Sequence, residues 1–157
     1  MPAVTIDPPN RSPQGMTQLK EKPPVRVVIV VDEALSIGHA ANATALLAVT
    51  LGALVEGLPG ADAIDADGGV HPGLIPIGVP VLKGSTEALN TTRERAARVA
   101  GVTVVDFLAQ GRQTNDYDEY RAMVATTPAA ELRYLGVALH GPRTAINKLV
   151  GNFSLLR

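Results

Sequence analysis

Apolar and polar positions alternate in blocks along the chain, and these blocks predict alternating strands and helices. Apolar runs rich in Val, Ile and Leu predict buried strands at 25–31, 74–82, 102–105 and 132–139. Good helix formers behind a capping or turn residue predict helices at 37–55, 85–100, 117–124 and 142–150. Strands that alternate with helices predict an α/β fold with a mostly parallel or mixed sheet.

The first 24 residues differ from the rest of the chain. Six prolines (Pro2, Pro8, Pro9, Pro13, Pro23 and Pro24) interrupt a polar stretch that has no helical or strand period. Proline fixes φ and lacks a backbone donor, so this stretch is not expected to join a central sheet. We predict a flexible Pro-rich extension over 1–24 and a single domain over 25–157, with a partner-binding proline segment as the alternative for the extension.

Composition narrows the function classes. Of the 157 residues, 46% are hydrophobic and 18% charged, which is the balance of a globular domain. The net charge of −1 argues against bulk nucleic-acid binding, and the absence of cysteine excludes disulfides, thiol catalysis and thiolate metal sites. Gly, Pro and charged residues are expected to keep each apolar segment short of a membrane span. A cytoplasmic protein without membrane contact is the resulting expectation.

Two apolar runs end in the same way, at Asp32 and at Asp106. Ligands of open α/β sheets bind at the carboxyl ends of strands, so two neighbouring parallel strands would place both carboxylates on one rim. Close carboxylates split their proton affinities and can serve as an acid and a base. Alternatively, each aspartate caps the turn that follows its strand.

The first turns of the helix predicted at 37–55 contain His39 and Asn42, which are three residues apart and therefore share a face. Small alanines around them allow a close approach to the sheet or to a ligand. The alternative for His39 is a surface position near a helix cap. For Asn42 it is a buried amide that hydrogen-bonds a neighbouring loop.

The segment 65–73 has alternating aspartates before glycine, as calcium loops do. The acidic residue that completes such a loop is missing, so a tight Asx turn is the favoured interpretation, and neither a metal nor another cofactor is predicted. His71 is kept as a candidate pocket residue.

The densest polar cluster follows later, where Thr114 or Asp116 caps a short helix that carries Tyr117 and Tyr120 on one face. These rings either stack on a substrate or anchor the helix.

Two segments resemble known families. The strand, Gly-Pro break and helix of 135–151 resemble the closing segment of type II peptidyl-tRNA hydrolases. The triplet 40–42 resembles that family's Ala-Ala-Gln helix, and Lys83 matches its strand-end lysine. The whole pattern is more similar to the group called domain of unknown function 2000 (DUF2000). Its members share the Gly-x-Ala-Ala-Asn helix, the Asp-x-Asp-Gly loop with a following His-Pro-Gly, the Thr-x-Asp-Tyr-x-x-Tyr cluster and the Gly-Pro-Arg near the C-terminus.

The resemblance implies a three-layer α/β/α sandwich with a mixed, roughly four-stranded sheet, as in peptidyl-tRNA hydrolase II. The hydrolases have a lysine before the Ala-Ala motif, where this chain has Gly38 or His39. They also have an aspartate in an Asp-Ala-Gly loop, which the matching segment 109–111 lacks. These departures weaken the inheritance of the hydrolase activity. A helix-mediated homodimer is expected.

Two functions are therefore predicted as alternatives. In the first, the protein hydrolyses an ester or amide of a small or tRNA-linked substrate, with Asp116, His71 and Lys83 as the catalytic groups. In the second, it is a non-catalytic module that binds a small molecule or a protein. The candidate binding residues are Asn42, His39, Thr114, Tyr117, Tyr120, Asp32 and Asp106.

Overall fold

The computed structural model describes residues 23–157. The strands are β1 (Val25–Asp32), β2 (Ala63–Ile64), β3 (Val70–His71), β4 (Val81–Gly84), β5 (Thr103–Leu108), β6 (Tyr134–Pro142) and β7 (Ser154–Leu155). The helices are α1 (Ile37–Leu54), α2 (Thr86–Ala96), α3 (Tyr117–Thr126) and α4 (Arg143–Val150). Two 3₁₀ turns cover Ala109–Arg112 and Ala129–Glu131.

Five strands form one mixed sheet in the order β5-β6-β1-β4-β7. The central strand β1 runs parallel to β4 and antiparallel to β6, and β5 is antiparallel to β6. Strands β2 and β3 form a separate hairpin. Because β5 and β1 are both antiparallel to β6, they point the same way although they are not neighbours.

Alternate residues of β1 serve two cores. Val28 and Val30 belong to a cluster with residues of α2 and α4, whereas Ile29 and Val31 belong to a cluster with α1. A strand that is apolar on both faces is the expected centre of an α/β sheet, so the run of β-branched residues is explained by helices packing on both sides.

The fold is mixed α/β as predicted, but the sheet has five strands instead of four. The short strand β7 supplies the fifth by pairing with β4. The strand predicted over 74–82 begins only at Val81, because Pro76 and Pro80 cannot donate ladder hydrogen bonds. The strand predicted over 102–105 does not end at Asp106 and continues to Leu108.

Helix α1 has 18 residues and no Asp, Glu, Lys or Arg, so by length and composition it could cross a membrane. The sequence analysis expected every apolar segment to be shorter than a membrane span, and this helix is longer than that expectation allows. One side of it, comprising Ala40, Ala43, Leu47 and Leu51, is buried. This side packs on β1 and β6, and only 22% of the helix is buried.

The Gly-Pro-Arg segment joins the two ends of the domain. The backbone N–H of Arg143 donates to the carbonyl of Pro24 at 2.8 Å, and its Nε donates to the carbonyl of Pro23 at 2.6 Å. Gly141 lies against the turn at Gly101, where a Cβ would come within 2.8 Å of the Gly101 carbonyl oxygen. This close approach requires glycine at position 141, which explains the glycine of the Gly-Pro-Arg segment.

Candidate functional site

A cavity of about 490 Å³ lies beside β5, one of the two edge strands of the sheet. Three segments that are distant in the sequence line it. Helix α1 contributes Asn42, Leu46, Leu47 and Thr50, and β5 contributes Val105, Asp106 and Phe107. The third segment contributes Gly111, Thr114, Asn115, Asp116, Tyr117 and Tyr120. Six of the residues singled out in the sequence therefore share one cavity.

Side-chain hydrogen bonds fix the loop before α3. The carboxylate of Asp116 caps the helix by accepting the backbone N–H of Glu119 at 2.9 Å. The hydroxyl of Thr114 accepts the N–H of Asp116 at 3.0 Å and donates to the carboxylate of Glu119. Both candidate capping residues are thus used. They hold the acidic edge of the cavity in one conformation.

The two tyrosines of α3 form a pair at the cavity. Their ring centroids are 5.7 Å apart and the planes are inclined by 31°. Tyr117 is 73% exposed, whereas Tyr120 is half-buried and packs against the core on the α2 side. Burial raises the pKa of Tyr120, and the charge of Asp106 and the neighbouring Tyr117 raise it further. The Tyr120 phenol therefore stays neutral in the folded protein at ordinary pH.

Asp106 lines the cavity and also holds α2. Its carboxylate accepts a hydrogen bond from Nε of Arg93 at 2.9 Å, and this ion pair raises the pKa of Arg93. The guanidinium carbon of Arg93 lies 5.4 Å from the centre of the Tyr134 ring. The charge of Asp106 is thus balanced by a fixed arginine on the α2 side of the sheet.

Asp32 has a comparable structural contact and lies outside the cavity. It is 6% exposed, and its two oxygens accept the backbone N–H of Ala34 at 2.9 Å and the hydroxyl of Thr86 at 2.6 Å. The condition for Asp32 and Asp106 to share a rim is not met, because β6 separates their strands and Asp106 lies within its strand. Each aspartate instead anchors α2, at positions seven residues apart on one helix face.

The structure does not bring the three predicted catalytic groups together. Asp116 lines the cavity beside β5. Lys83 lies on β4, three strand positions from β5 or about 14 Å at the usual strand spacing. It lines a second cavity of about 430 Å³ together with Glu33 and Arg95.

The third group, His71, is exposed on the β2–β3 hairpin, where Nε2 lies 3.1 Å from the carboxylate of Asp65. That carboxylate accepts the backbone N–H groups of Gly69 and Asp67, which lower its pKa, and the contact with His71 lowers it as well. The segment is an Asx turn, the interpretation that the sequence favoured. Among residues 23–157, no three His, Asp or Glu side chains converge as metal ligands would.

His39 is exposed one helical turn before Asn42. Its Nδ1 lies 2.8 Å from the hydroxyl of Ser36, and its Nε2 lies 3.3 Å from the guanidinium of Arg112. It is not among the residues that line the cavity. Asn42 does line the cavity but is exposed, so it does not have the buried position considered for it.

Sequence interpretation missed several residues of the cavity wall. Leu46 and Thr50 follow Asn42 at intervals of four residues, so helical spacing from Asn42 could have identified them. Phe107 had no such signal, because the strand was expected to end before it. Gly111 accommodates this ring, since a Cβ there would come within 2.5 Å of Phe107 Cε2.

Comparisons with known proteins place the fold and the family. A solved structure of a protein of unknown function from Agrobacterium tumefaciens strain C58 aligns with a TM-score of 0.78 and 19% identity, over 85% of this chain and 98% of that one. At this identity the likeness shows a shared fold alone. None of the curated proteins matches the sequence. The sequence model of the family described as "Protein of unknown function (DUF2000)" matches residues 25–157, and the chain therefore belongs to the DUF2000 family.

Proposed function

We propose that this domain is a small-molecule-binding module whose site is the cavity between α1, β5 and α3. The observation that carries the proposal is convergence: residues near 42, 106 and 116 are far apart in the chain and meet around one concave space. A volume of about 490 Å³ lies within the range of about 300–1,000 Å³ that is usual for ligand pockets.

The chemistry of the walls supports a binding function. Leu47, Val105 and Phe107 give the cavity an apolar floor, while Asn42 and Asp116 supply polar groups at its edge. A few polar groups around an apolar surface orient a small ligand, because the apolar area supplies affinity and the polar atoms supply specificity.

The same geometry supports binding over ester or amide hydrolysis. Among the described residues, the cavity lining contains no lysine or histidine, and Lys83 and His71 lie in other parts of the fold. Asp116 thus has neither of the partners that the hydrolytic hypothesis gave it. We retain a scaffold relationship to type II peptidyl-tRNA hydrolases as part of the proposal, on the strength of the closing segment and the Ala-Ala-Asn helix.

The test is a fragment titration followed by NMR. Isotope-labelled protein is mixed with small aromatic and aliphatic alcohols, amines and acids, and the amide signals of Asn42, Gly111 and Asn115 are followed. Binding in the cavity shifts these three signals together. If none of the fragments moves them, the proposal fails.

A matched pair of variants tests the location of binding. Leu46→Trp places an indole in the cavity from a position that is 48% exposed, so the core is not disturbed. Val49→Trp adds the same ring on the same helix at a position that is 75% exposed and outside the cavity lining. We expect Leu46→Trp to abolish the shifts and Val49→Trp to preserve them. Equal binding by both variants would refute the cavity as the site.

A turnover assay tests the alternative. Purified protein is incubated with peptidyl-tRNA, and release of the peptidyl group is compared with buffer and with Lys83→Ala. We expect no release above buffer. Turnover that disappears in Lys83→Ala would support a hydrolase and would contradict the binding module.

A further inference from the structure

The lining of the cavity is acidic and aromatic. Of the described residues that line it, Asp106 and Asp116 carry negative charge, and none carries a positive charge. Two tyrosine rings stand beside these carboxylates. We propose that the ligand is an organic cation, an ammonium group attached to an apolar or aromatic body. This inference rests on the proposed binding function.

Asp116 is the carboxylate available to such a cation. Its Oδ1 accepts the backbone N–H of Glu119, and its other oxygen accepts no hydrogen bond from residues 23–157. An ammonium group that donates to this oxygen would leave the helix cap intact. Glu119, held by Thr114 beside it, adds a second negative charge to this edge of the cavity.

Within residues 23–157, none of the three arginines near the cavity is among its lining residues. Arg93 binds Asp106 from the α2 side of the sheet, and Arg121 pairs with the exposed Asp118 at 3.3 Å. Arg112 follows the cavity residue Gly111, but its guanidinium points to the ring of His39 and is not part of the cavity lining. The N-terminus of α3 offsets part of the charge of Asp116, and Glu119 beside it keeps this edge of the cavity net negative.

The tyrosines supply the second recognition element. The face of an aromatic ring attracts a cation within about 6 Å of its centre. Tyr117 presents an accessible ring, and Tyr120 remains a neutral phenol beside it. The apolar floor formed by Leu47 and Phe107 then receives the body of the ligand. An anionic ligand would instead face Asp116 without a cationic side chain among the described lining residues.

Three probes of similar size separate charge from shape: phenethylammonium, 2-phenylethanol and 3-phenylpropionate. Calorimetric titration of the full chain at low salt should give an affinity about tenfold higher for the ammonium than for the alcohol, and the weakest binding for the carboxylate. The preference should shrink at 0.5 M NaCl, since salt screens partly exposed charges.

Two substitutions give the matched control. Asp116→Asn removes the charge but keeps a good helix cap, so folding is preserved. We expect phenethylammonium to bind about fivefold more weakly to it, with little change for 2-phenylethanol. Asp118→Asn removes a neighbouring carboxylate that lies outside the cavity lining, and it should change both affinities less than twofold. Tyr117→Leu should weaken the ammonium more than the alcohol.

The outcomes separate the two proposals. If 2-phenylethanol binds as tightly as phenethylammonium, or if all three probes fail while other fragments bind in the cavity, the cation inference is overturned and the binding site stands. Equal losses in Asp116→Asn and Asp118→Asn would also overturn it. If no fragment binds there at all, the proposed function itself has failed.

Discussion

The contact between Asp32 and Thr86 gives the sharpest test of what the strand-terminal aspartate does. The hydroxyl of Thr86 donates to a carboxylate that is 6% exposed, over 2.6 Å. Thr86→Val keeps the shape of the side chain and removes only this donor. A buried carboxylate oxygen is then left without its partner, because the other oxygen is already used by the N–H of Ala34.

A hydrogen bond to a charged group contributes about 1.5–3 kcal/mol, so Thr86→Val should lower the free energy of unfolding by about that amount. At about 4 °C per kcal/mol for a domain of this size, the melting temperature should fall by roughly 6–12 °C. Urea denaturation followed by circular dichroism measures the free energy, and calorimetry measures the melting temperature.

The control is Thr91→Val, the same isosteric change at an exposed position of the same helix. It should alter stability by less than about 0.5 kcal/mol. A double-mutant cycle with Asp32→Asn should give a coupling energy of at least about 1 kcal/mol. If the two valine variants are equally stable, Asp32 does not anchor α2 and the structural interpretation of this aspartate is refuted.

Two further predictions concern packing and titration. Gly141→Ala should lower the free energy of unfolding by about 1–3 kcal/mol in urea denaturation, because its Cβ would lie 2.8 Å from the backbone oxygen of Gly101. The control Gly52→Ala, on an open surface of α1, should raise the free energy of unfolding by about 0.5–1 kcal/mol. Changes of the same sign in both variants would contradict this prediction. Because the folded state raises the pKa of Tyr120 above its ordinary 10.0, stability should fall as the pH rises from about 10 toward that higher value. Burial also raises the pKa of Tyr134, so phenol absorbance is followed in Tyr134→Phe, where the late ionisation belongs to Tyr120. Asp106→Asn removes one cause of the shift and should move this titration back toward pH 10, which an unchanged midpoint would disprove.

Local sequence patterns determined the regular elements that are long and strongly apolar. The β-branched run of 25–31 and the Ala/Leu helix after Ser36 were found within one residue of their observed bounds, because both depend on short-range periodicity. Patterns failed where pairing was decided by distant partners. Strand β7 has only two residues and is defined by its pairing with β4. Strand β5 continues past Asp106, where the strand was predicted to end, and the charge of Asp106 is paired with Arg93.

The candidate site divides in the same way. The sequence by itself singled out Asn42, Asp116 and the tyrosines of α3, because these polar and aromatic groups stand out in an apolar chain. It had no means of showing that they meet, or that Lys83 and His71 lie elsewhere. Strand order decided that, by placing β4 three positions from β5 and leaving β5 at an edge where α1 and α3 enclose a cavity. Periodicity is a property of neighbouring residues, whereas the order of strands in a sheet depends on the packing of the whole core.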